Sequence, residues 1–213
     1  VDQVTDQSEA LATEGAASLM AVLLSVQRGV VATIAQAVSD TSRSNYARVD
    51  AEAFYDYWLP DGWKTTDDRH PTEPVCLTDS SFMYTGGSQG QEWTDSQLVQ
   101  PDLFANLDVF FREKYNTYPD MIQAYVGDST LFTRYPGKVT TDRSYNPSKR
   151  DWYNCALTRR YDSSAPYCIT DPYIGASLQE WMITISQVAY KDGSSSYEGV
   201  VGADILIRQL KNI

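Results

Sequence analysis

Apolar positions follow a helical period in the first part of the chain. Residues 6–39 contain no proline, and Asp6 or Ser8 could act as the N-cap. Apolar side chains there recur every three or four residues, as on one helical face: Leu19, Leu23, Val26, Val30, Ile34 and Val38. The pattern predicts a helix of roughly 50 Å at 1.5 Å per residue. Such a helix would pack along the flank of a domain, or extend as a stalk or dimerisation helix.

Residues 40–100 show no sustained period. Asp61-Gly62, the prolines between 71 and 74, and Gly86-Gly87 interrupt the segment. We expect an irregular region in which His70 is a solvated loop residue. Its buried anchors would be aromatic: Trp58, Trp63, Phe82, Tyr84 and Trp93.

The remaining pattern changes from a helical period to strands. A second helical stripe ends near residues 115–116, and its members are Leu103, Leu107, Phe110 and Phe111. After it, residues 121–126 and 130–135 predict a hairpin, and residues 181–190 and 197–207 predict two long strands. Helices followed by antiparallel hairpins indicate an α+β domain.

Composition excludes several classes of function. The 17 basic and 28 acidic residues give a formal charge of −11, which argues against nucleic-acid binding and against docking on anionic lipid. His70 is the only histidine, so a His-rich zinc site is excluded and a Ser-His-Asp triad is disfavoured. The sequence lacks nucleotide-binding glycine motifs, and no carboxylate pair has a spacing that marks acid–base chemistry. We therefore expect neither an enzyme nor a cofactor or metal.

The chain is expected to be a soluble piece of a longer protein. Its most apolar run, Ala16–Val26, has eleven residues, whereas a membrane-spanning helix takes about 20. A start without Met and an end within a helix-like pattern, Leu206–Ile213, suggest a fragment.

Three cysteines allow one disulfide. Cys155 and Cys168 lie 13 residues apart around a polar loop, and closing it would stabilise the fold by about 3 kcal/mol. Alternatively, these two and Cys76 are all reduced thiols, and the cysteines alone do not decide.

One short segment, residues 145–153, combines the groups that recognise a carboxylate. It places the guanidinium of Arg150 beside an indole and two phenols. Arginine matches a carboxylate with two parallel hydrogen bonds, and neighbouring aromatic rings exclude water and strengthen the contact. The alternative is a surface arginine stacked on a core tryptophan.

The spacing in this segment resembles a known family. The run Tyr145-x4-Arg150-x-Trp152-Tyr153 is similar to the signature of Cache sensor domains, specifically the membrane-distal lobe of double-Cache domains. Residues 122–137, 170–173 and 199–205 resemble the family's central hairpin, the segment after its short helix and its last core strand.

The resemblance implies a fold and a domain organisation. It predicts the Cache fold, an α+β fold with a long N-terminal helix and a PAS-like antiparallel sheet flanked by helices. The helix would occupy residues 6–39 and the Cache domain residues 40–207. Residues 208–213 would begin a C-terminal helix.

A subset of this family binds free amino acids, and this sequence matches its pattern at six positions. By resemblance, Tyr145, Arg150 and Trp152 would hold the ligand carboxylate. The ammonium would be held by Tyr153, Tyr173 and Asp204.

The chemistry of Asp204 agrees with that role. A zwitterion needs one fixed cation and one fixed anion, and Asp204 lies in the apolar run 200–207. A buried carboxylate there is costly unless it is paired. A ligand ammonium would pair it, and the alternative partner is Arg150 itself.

The resemblance also implies a setting. We expect an extracellular or periplasmic receptor ectodomain whose parent chain is anchored in a membrane, with an L-amino acid as ligand. An oxidising compartment favours a Cys155–Cys168 disulfide, with Cys76 left as a thiol. The N-terminal helix offers a surface for a homodimer. The competing hypothesis is a Cache-like module of a channel accessory subunit with an assembly role.

Overall fold

The computed structural model describes residues 2–43, 65–84, 104–138, 145–175, 178–191 and 197–210. Its N-terminal helix extends slightly beyond the predicted range at both ends. Helix α1 (Asp2–Val26) passes through a π-helical turn (Gln27–Val31) into α2 (Ala32–Arg43).

The second half of this helix packs on the domain. Four of its side chains are 0% exposed, namely Val30, Val31, Ile34 and Val38. Burial of each is worth about 1.5–3 kcal/mol relative to exposure. The side chains of residues 14–17 are exposed, whereas those from Leu23 onward include the residues that pack on the domain. Gln27 also donates from Nε2 to Oε1 of Gln187 at 3.2 Å.

The expectation that no apolar segment is long enough to span a membrane was wrong. Glu14–Asp40, 27 residues, is long and apolar enough by length and composition. Gln27 and Arg28 interrupt the apolar run after Val26, but apolar residues resume at Val30. The same test is passed by core helices, and 33% of the apolar window is buried in the domain.

The described part of the central region contains strands, contrary to the prediction of an irregular segment. Strands β1 (Thr65–Asp67) and β2 (His70–Val75) form a two-stranded sheet, and β3 (Ser81–Tyr84) joins the main sheet. Phe82 is buried as expected. The side chain of Tyr84 lies outside the described residues, as do Trp58, Trp63 and Trp93.

His70 is buried, so its prediction as a solvated loop residue was wrong. The side chain is 1% exposed. Its Nε2 lies 2.7 Å from the carbonyl oxygen of Ile122, and its Nδ1 lies 3.6 Å from Oε1 of Glu73. Neighbouring prolines suggested a loop, but a two-stranded sheet has only edge strands, which tolerate proline.

Helix α3 (Asp108–Thr117) follows a 3-10 turn (Ala105–Leu107) and carries the second predicted stripe. Leu107 and Phe111 are fully buried, whereas Leu103 lies outside the described residues.

The remaining strands are β4 (Met121–Gly127), β5 (Leu131–Tyr135), β6 (Tyr167–Ile169), β7 (Tyr173–Ile174), β8 (Trp181–Tyr190) and β9 (Tyr197–Leu206). With β3 they form the antiparallel main sheet, which has the strand order β3-β5-β4-β9-β8-β6 and β7 paired to β8. The remaining helical elements are a 3-10 turn (Pro147–Lys149), α4 (Asp151–Arg159) and α5 (Ile207–Leu210).

Alternation along the strands gives this sheet two different faces. The helix face packs against α2 and α3, and its residues on the central strands include Ala124, Val126, Ile183, Ile185, Val201, Ala203 and Ile205. The opposite face, here called the site face, lies under α4 and carries Gln123, Tyr125, Thr184 and Asp204. The long helix and the antiparallel sheet with flanking helices confirm the predicted α+β, PAS-like Cache fold.

A disulfide ties α4 to the edge of the sheet. The structure joins Cys155 of α4 to Cys168 of β6, with their Cα atoms 5.7 Å apart. Cys76 is a buried free thiol.

Candidate functional site

A band of polar side chains crosses the site face. Gln123 of β4 and Thr184 of β8 lie on either side of Asp204 of β9, each directly opposite it in register. One apolar cluster beside the band is formed by Met83, Tyr125, Phe132, Trp152, Tyr153, Ala156, Val188 and Val200. A second consists of Ile122, Met182 and Leu206. The buried polar band therefore lies between two apolar walls.

Asp204 is the centre of the band. Its side chain is 2% exposed. Oδ1 accepts hydrogen bonds from the Tyr125 hydroxyl at 2.7 Å and from Thr184 Oγ1 at 2.5 Å. Oδ2 accepts from Gln123 Nε2 at 2.5 Å. All three donors are neutral, so they satisfy the carboxylate oxygens without neutralising the charge.

Tyr173 of β7 extends this network. Its hydroxyl lies 2.6 Å from Thr184 Oγ1. Because Thr184 has one hydroxyl proton and donates it to Asp204, Tyr173 must be the donor in this contact. The phenol oxygen of Tyr173 then keeps its capacity to accept.

Burial shapes the electrostatics of the band. Desolvation raises the pKa of Asp204, although its hydrogen bonds from Thr184, Gln123 and Tyr125 and the charge of Lys138 act in the opposite direction. Burial and then the nearby Asp204 charge raise the pKa of both Tyr125 and Tyr173. These phenols therefore remain protonated and act as donors at neutral pH.

Gly202 is required for Tyr125 to reach Asp204. The two residues are cross-strand neighbours on β4 and β9. A Cβ at position 202 would lie 2.2 Å from Cε2 of the Tyr125 ring. A side chain there would displace the ring and break the contact with the carboxylate.

The second pole of the site is built by the turn before α4. The Asn146 side chain accepts from the Ser148 backbone N–H at 2.9 Å, which closes the turn around Pro147. Arg150 follows with extended backbone, φ −97° and ψ 147°, and ends the turn immediately before α4. Ser186 Oγ of the sheet donates to the Trp152 carbonyl at 2.7 Å and anchors the start of that helix.

Aromatic rings connect this pole to the band. The Arg150 guanidinium carbon lies 5.4 Å from the ring centroid of Tyr145, within cation–π range. Trp152 Nε1 donates to the Tyr145 hydroxyl at 3.3 Å, and the Trp152 ring packs edge-on against Tyr125 at 4.8 Å. Burial, opposed by the Trp152 hydrogen bond and aided by the Asp204 charge, raises the pKa of Tyr145 to about 12. Because the Tyr145 hydroxyl accepts from Trp152, it can donate its own proton to an anion.

The six residues predicted for the site fall into two groups. Five of them lie in the polar band, or in the turn before α4 and the start of that helix: Tyr145, Arg150, Trp152, Tyr173 and Asp204. Tyr153 is 2% exposed and packs edge-on against Trp152 in the first apolar cluster.

Asp204 and Arg150 do not pair with each other. Within the described ranges, no ion pair joins them, and Asp204 accepts from neutral side chains instead. The alternative in which Arg150 neutralises Asp204 therefore finds no support in the geometry.

Gln123, Tyr125 and Thr184 are site residues that the sequence analysis missed. A signal existed for two of them, because Gln123 and Tyr125 alternate with apolar residues in a strand otherwise predicted as core. Thr184 could be found only through its register with Asp204. The described part of the chain contains no cluster of side chains suited to hold a metal ion.

The chain belongs to a family of sensor domains. Residues 92–212 match the family described as methyl-accepting chemotaxis protein-like, first PDC sensor domain. This match covers the segment that forms α3, the main sheet except β3, and both poles of the site. This match confirms the resemblance to membrane-distal Cache sensor domains that the sequence motifs indicated.

Curated relatives are chemotaxis proteins. The chain is 32% identical over 120 residues to the methyl-accepting chemotaxis protein McpA of Bacillus subtilis, covering 56% of this chain and 17% of McpA. It is 26% identical over 135 residues to PctB of Pseudomonas aeruginosa, covering 59% of this chain and 20% of PctB. The chain thus spans about a fifth or less of the length of these relatives.

Solved structures with partial overlap are also chemoreceptor domains. One is the ligand-binding domain of Pseudomonas fluorescens chemoreceptor CtaA in complex with L-alanine, with 30% identity, a TM-score of 0.37, and coverage of 44% of this chain and 39% of that one. Another is that of Campylobacter jejuni chemoreceptor Tlp3 in complex with L-norvaline, with 22% identity, a TM-score of 0.42, and coverage of 57% and 47%.

Proposed function

We propose that this domain senses a free amino acid by binding both of its charged groups on the site face. Arg150, Tyr145 and Trp152 hold the carboxylate. Asp204 and Tyr173 hold the ammonium by hydrogen bonds and Tyr153 contacts it through its ring, with Tyr125 and Thr184 orienting Asp204.

The observation that supports this proposal is the charge arrangement of the site. A buried carboxylate is costly without a cationic partner, and the described donors to Asp204 are all neutral. The charge of buried Lys138 also acts on Asp204, but Lys138 is paired with Glu73. Arg150 takes part in no ion pair within the described ranges and lies against Tyr145. An anion and a cation separated by aromatic hydroxyl groups complement a zwitterion.

The whole protein is proposed to be a membrane chemoreceptor. Membership in the sensor-domain family favours a receptor and gives no support to the channel accessory module. The domain would then lie on the extracellular or periplasmic side of the membrane and transmit ligand binding without catalysis. The Cys155–Cys168 disulfide is consistent with such an oxidising location.

A ligand screen tests the proposal. Each of the twenty free L-amino acids is added to the 213-residue chain, and the midpoint of thermal unfolding is measured. A ligand present at 100 times its Kd should stabilise the domain by about 2.7 kcal/mol. Isothermal titration then gives the affinity of each ligand that shifts the midpoint.

Blocked ligands provide the controls for each pole. The N-acetyl derivative removes the ammonium, and the methyl ester removes the carboxylate charge. Both should bind far more weakly than the free amino acid. Equal binding of either derivative, or no response to any of the twenty, would refute the two-pole site.

A homodimer through the N-terminal helix is a further part of the proposal. The helix is exposed at residues 14–17, before its packed half begins. Sedimentation equilibrium of the chain and of a variant lacking residues 1–17 should show a concentration-dependent dimer only for the complete chain. Monomers at every concentration for both would contradict it.

A further inference from the structure

The Gln123 side chain has one polar atom without a partner. Gln123 is 7% exposed, and its Nε2 donates to Asp204. Its Oε1 is buried and accepts no hydrogen bond from any residue that the structure describes. Buried acceptors normally receive a hydrogen bond, so an acceptor without one indicates a donor that binds there, such as a ligand.

The orientation of this amide is set by Asp204. The carboxylate can only accept, so the amide must present its NH₂ group to it. The reverse orientation would place two oxygen atoms in repulsive contact. Oε1 is therefore held beside Asp204 as an acceptor.

The hydrogen-bond network around Asp204 consequently contains three acceptors with unused capacity. Asp204 Oδ1 already receives two hydrogen bonds, but Oδ2 receives one and can accept another. Tyr173 donates its proton to Thr184, so its phenol oxygen can accept. With Gln123 Oε1, these atoms match the three N–H groups of a primary ammonium.

We infer that Gln123 Oε1 accepts a hydrogen bond from the ligand ammonium, and that the site thereby selects primary amines over N-methylated ones. This inference rests on the proposed amino-acid function. Asp204 alone attracts a cation by charge, and an N-methyl ammonium carries the same charge. Gln123 adds a directional requirement, because a methyl group in place of the third N–H leaves its oxygen unpaired in a dry site.

The test compares each free amino acid that shifts the wild-type unfolding midpoint with its N-methyl derivative, by isothermal titration. Wild type should prefer the free amino acid by about 10- to 100-fold, the range of a hydrogen bond to a charged group. In Gln123→Met, which keeps the length of the side chain, this preference should fall to less than about threefold. Gln187→Met is the matched control, because Gln187 lies on the helix face and contacts Gln27.

The outcomes separate the inference from the proposed function. Equal affinity of wild type for the free and N-methyl ligands would overturn the inference and leave the two-pole site intact, and this measurement needs no variant. An equal loss for both ligands in Gln123→Met would also overturn it, because Gln123 would then only position Asp204. A wild type that binds none of the twenty amino acids would overturn the proposed function and the inference together.

Discussion

The two faces of the main sheet are formed by the same strands but serve different purposes. On the helix face, most described residues of the central strands are apolar and pack against α2 and α3, and Gln187 is an exception that bonds to Gln27. On the site face, a band of polar residues interrupts the packing between two apolar clusters. Since a strand alternates its side chains, one ten-residue segment such as β9 supplies both Ile205 to the core and Asp204 to the site.

Two buried carboxylates sharpen this contrast. Asp108, at the start of α3, is 8% exposed and accepts from the backbone N–H and the hydroxyl of Ser80. These bonds fix the loop before β3, a structural task. Asp204 accepts only from side chains that share one sheet face. Burial of an anion therefore does not by itself indicate a functional site. An anion that is surrounded by polar groups with remaining hydrogen-bonding capacity, such as Gln123 Oε1, does.

The largest effect is expected at the cationic pole. Arg150→Ala should abolish detectable binding of amino acids, because it removes the cation that faces the ligand carboxylate, while the unfolding midpoint changes little. The loss corresponds to the upper end of about 2–5 kcal/mol, or more. Arg159→Ala, an exposed arginine on α4 paired with Asp162, is the control. Unchanged affinity in Arg150→Ala by isothermal titration would reject the pocket assignment.

The second-largest loss of affinity is expected at the anionic pole, Asp204. Asp204→Asn keeps the shape but removes the charge, so amino-acid affinity should fall by about 2–5 kcal/mol. The free energy of unfolding of the free domain should fall by much less, or even rise, since the substitution removes a buried charge whose hydrogen-bond donors are all neutral. Asp108→Asn is the matched control and should leave binding unchanged. Equal affinity of Asp204→Asn and wild type would make Asp204 a structural residue like Asp108.

A substitution on the helix face should lower stability and leave ligand affinity unchanged, the opposite of the two preceding variants. Ile205 is 0% exposed, and Ile205→Ala should lower the free energy of unfolding by about 2–5 kcal/mol through the cavity that it leaves. Affinity measured well below the unfolding midpoint should be retained. Val109→Ala, at a side chain that is 68% exposed, should change neither property. Loss of affinity in Ile205→Ala with an intact fold would show that the two faces are coupled.

The two faces of the sheet are covered in different ways, because only the cover of the site face is held by a described disulfide. The long helix covers the helix face through apolar packing, whereas α4 is additionally tied to β6. Replacing Cys155 and Cys168 by serine should lower stability by about 3 kcal/mol. Mass spectrometry of non-reduced peptides should find this bridge and a free Cys76. A cross-link that includes Cys76, or three free thiols in exported protein, would count against it.

The effect that is smallest over any one pH unit concerns the titration of Asp108. Burial raises the pKa of Asp108 to about 7, above its value in the unfolded chain. The folded state therefore binds the proton more tightly, and Asp108 opposes folding progressively as pH rises from about 4 to 7. Its contribution to the slope is at most about 1.4 kcal/mol per pH unit. Urea titrations should show that Asp108→Asn makes the decline in stability with rising pH shallower. Identical pH profiles for the variant and wild type would contradict the assignment.

Much of the fold was predictable because its periodicities are local. The strands β4, β5, β8 and β9 lie within one residue of their predicted ranges at either end. The spacing of Tyr145, Arg150 and Trp152 also identified the cationic pole, because these residues lie on one turn and the helix that follows it. By contrast, β2 contains two prolines and has little alternation, so neither the strand nor the burial of His70 could be predicted.

The sequence by itself determined the α+β class, the long helix, the segment around Arg150 and the anomaly of a charge at Asp204. Only the tertiary structure decided what surrounds that charge. Gln123, Tyr125 and Thr184 come from two strands distant in sequence, and strand register brings them to Asp204. Register depends on the packing of both sheet faces and on close approaches such as that of Gly202 to Tyr125. No local pattern encodes these contacts, because each requires the whole sheet to be assembled.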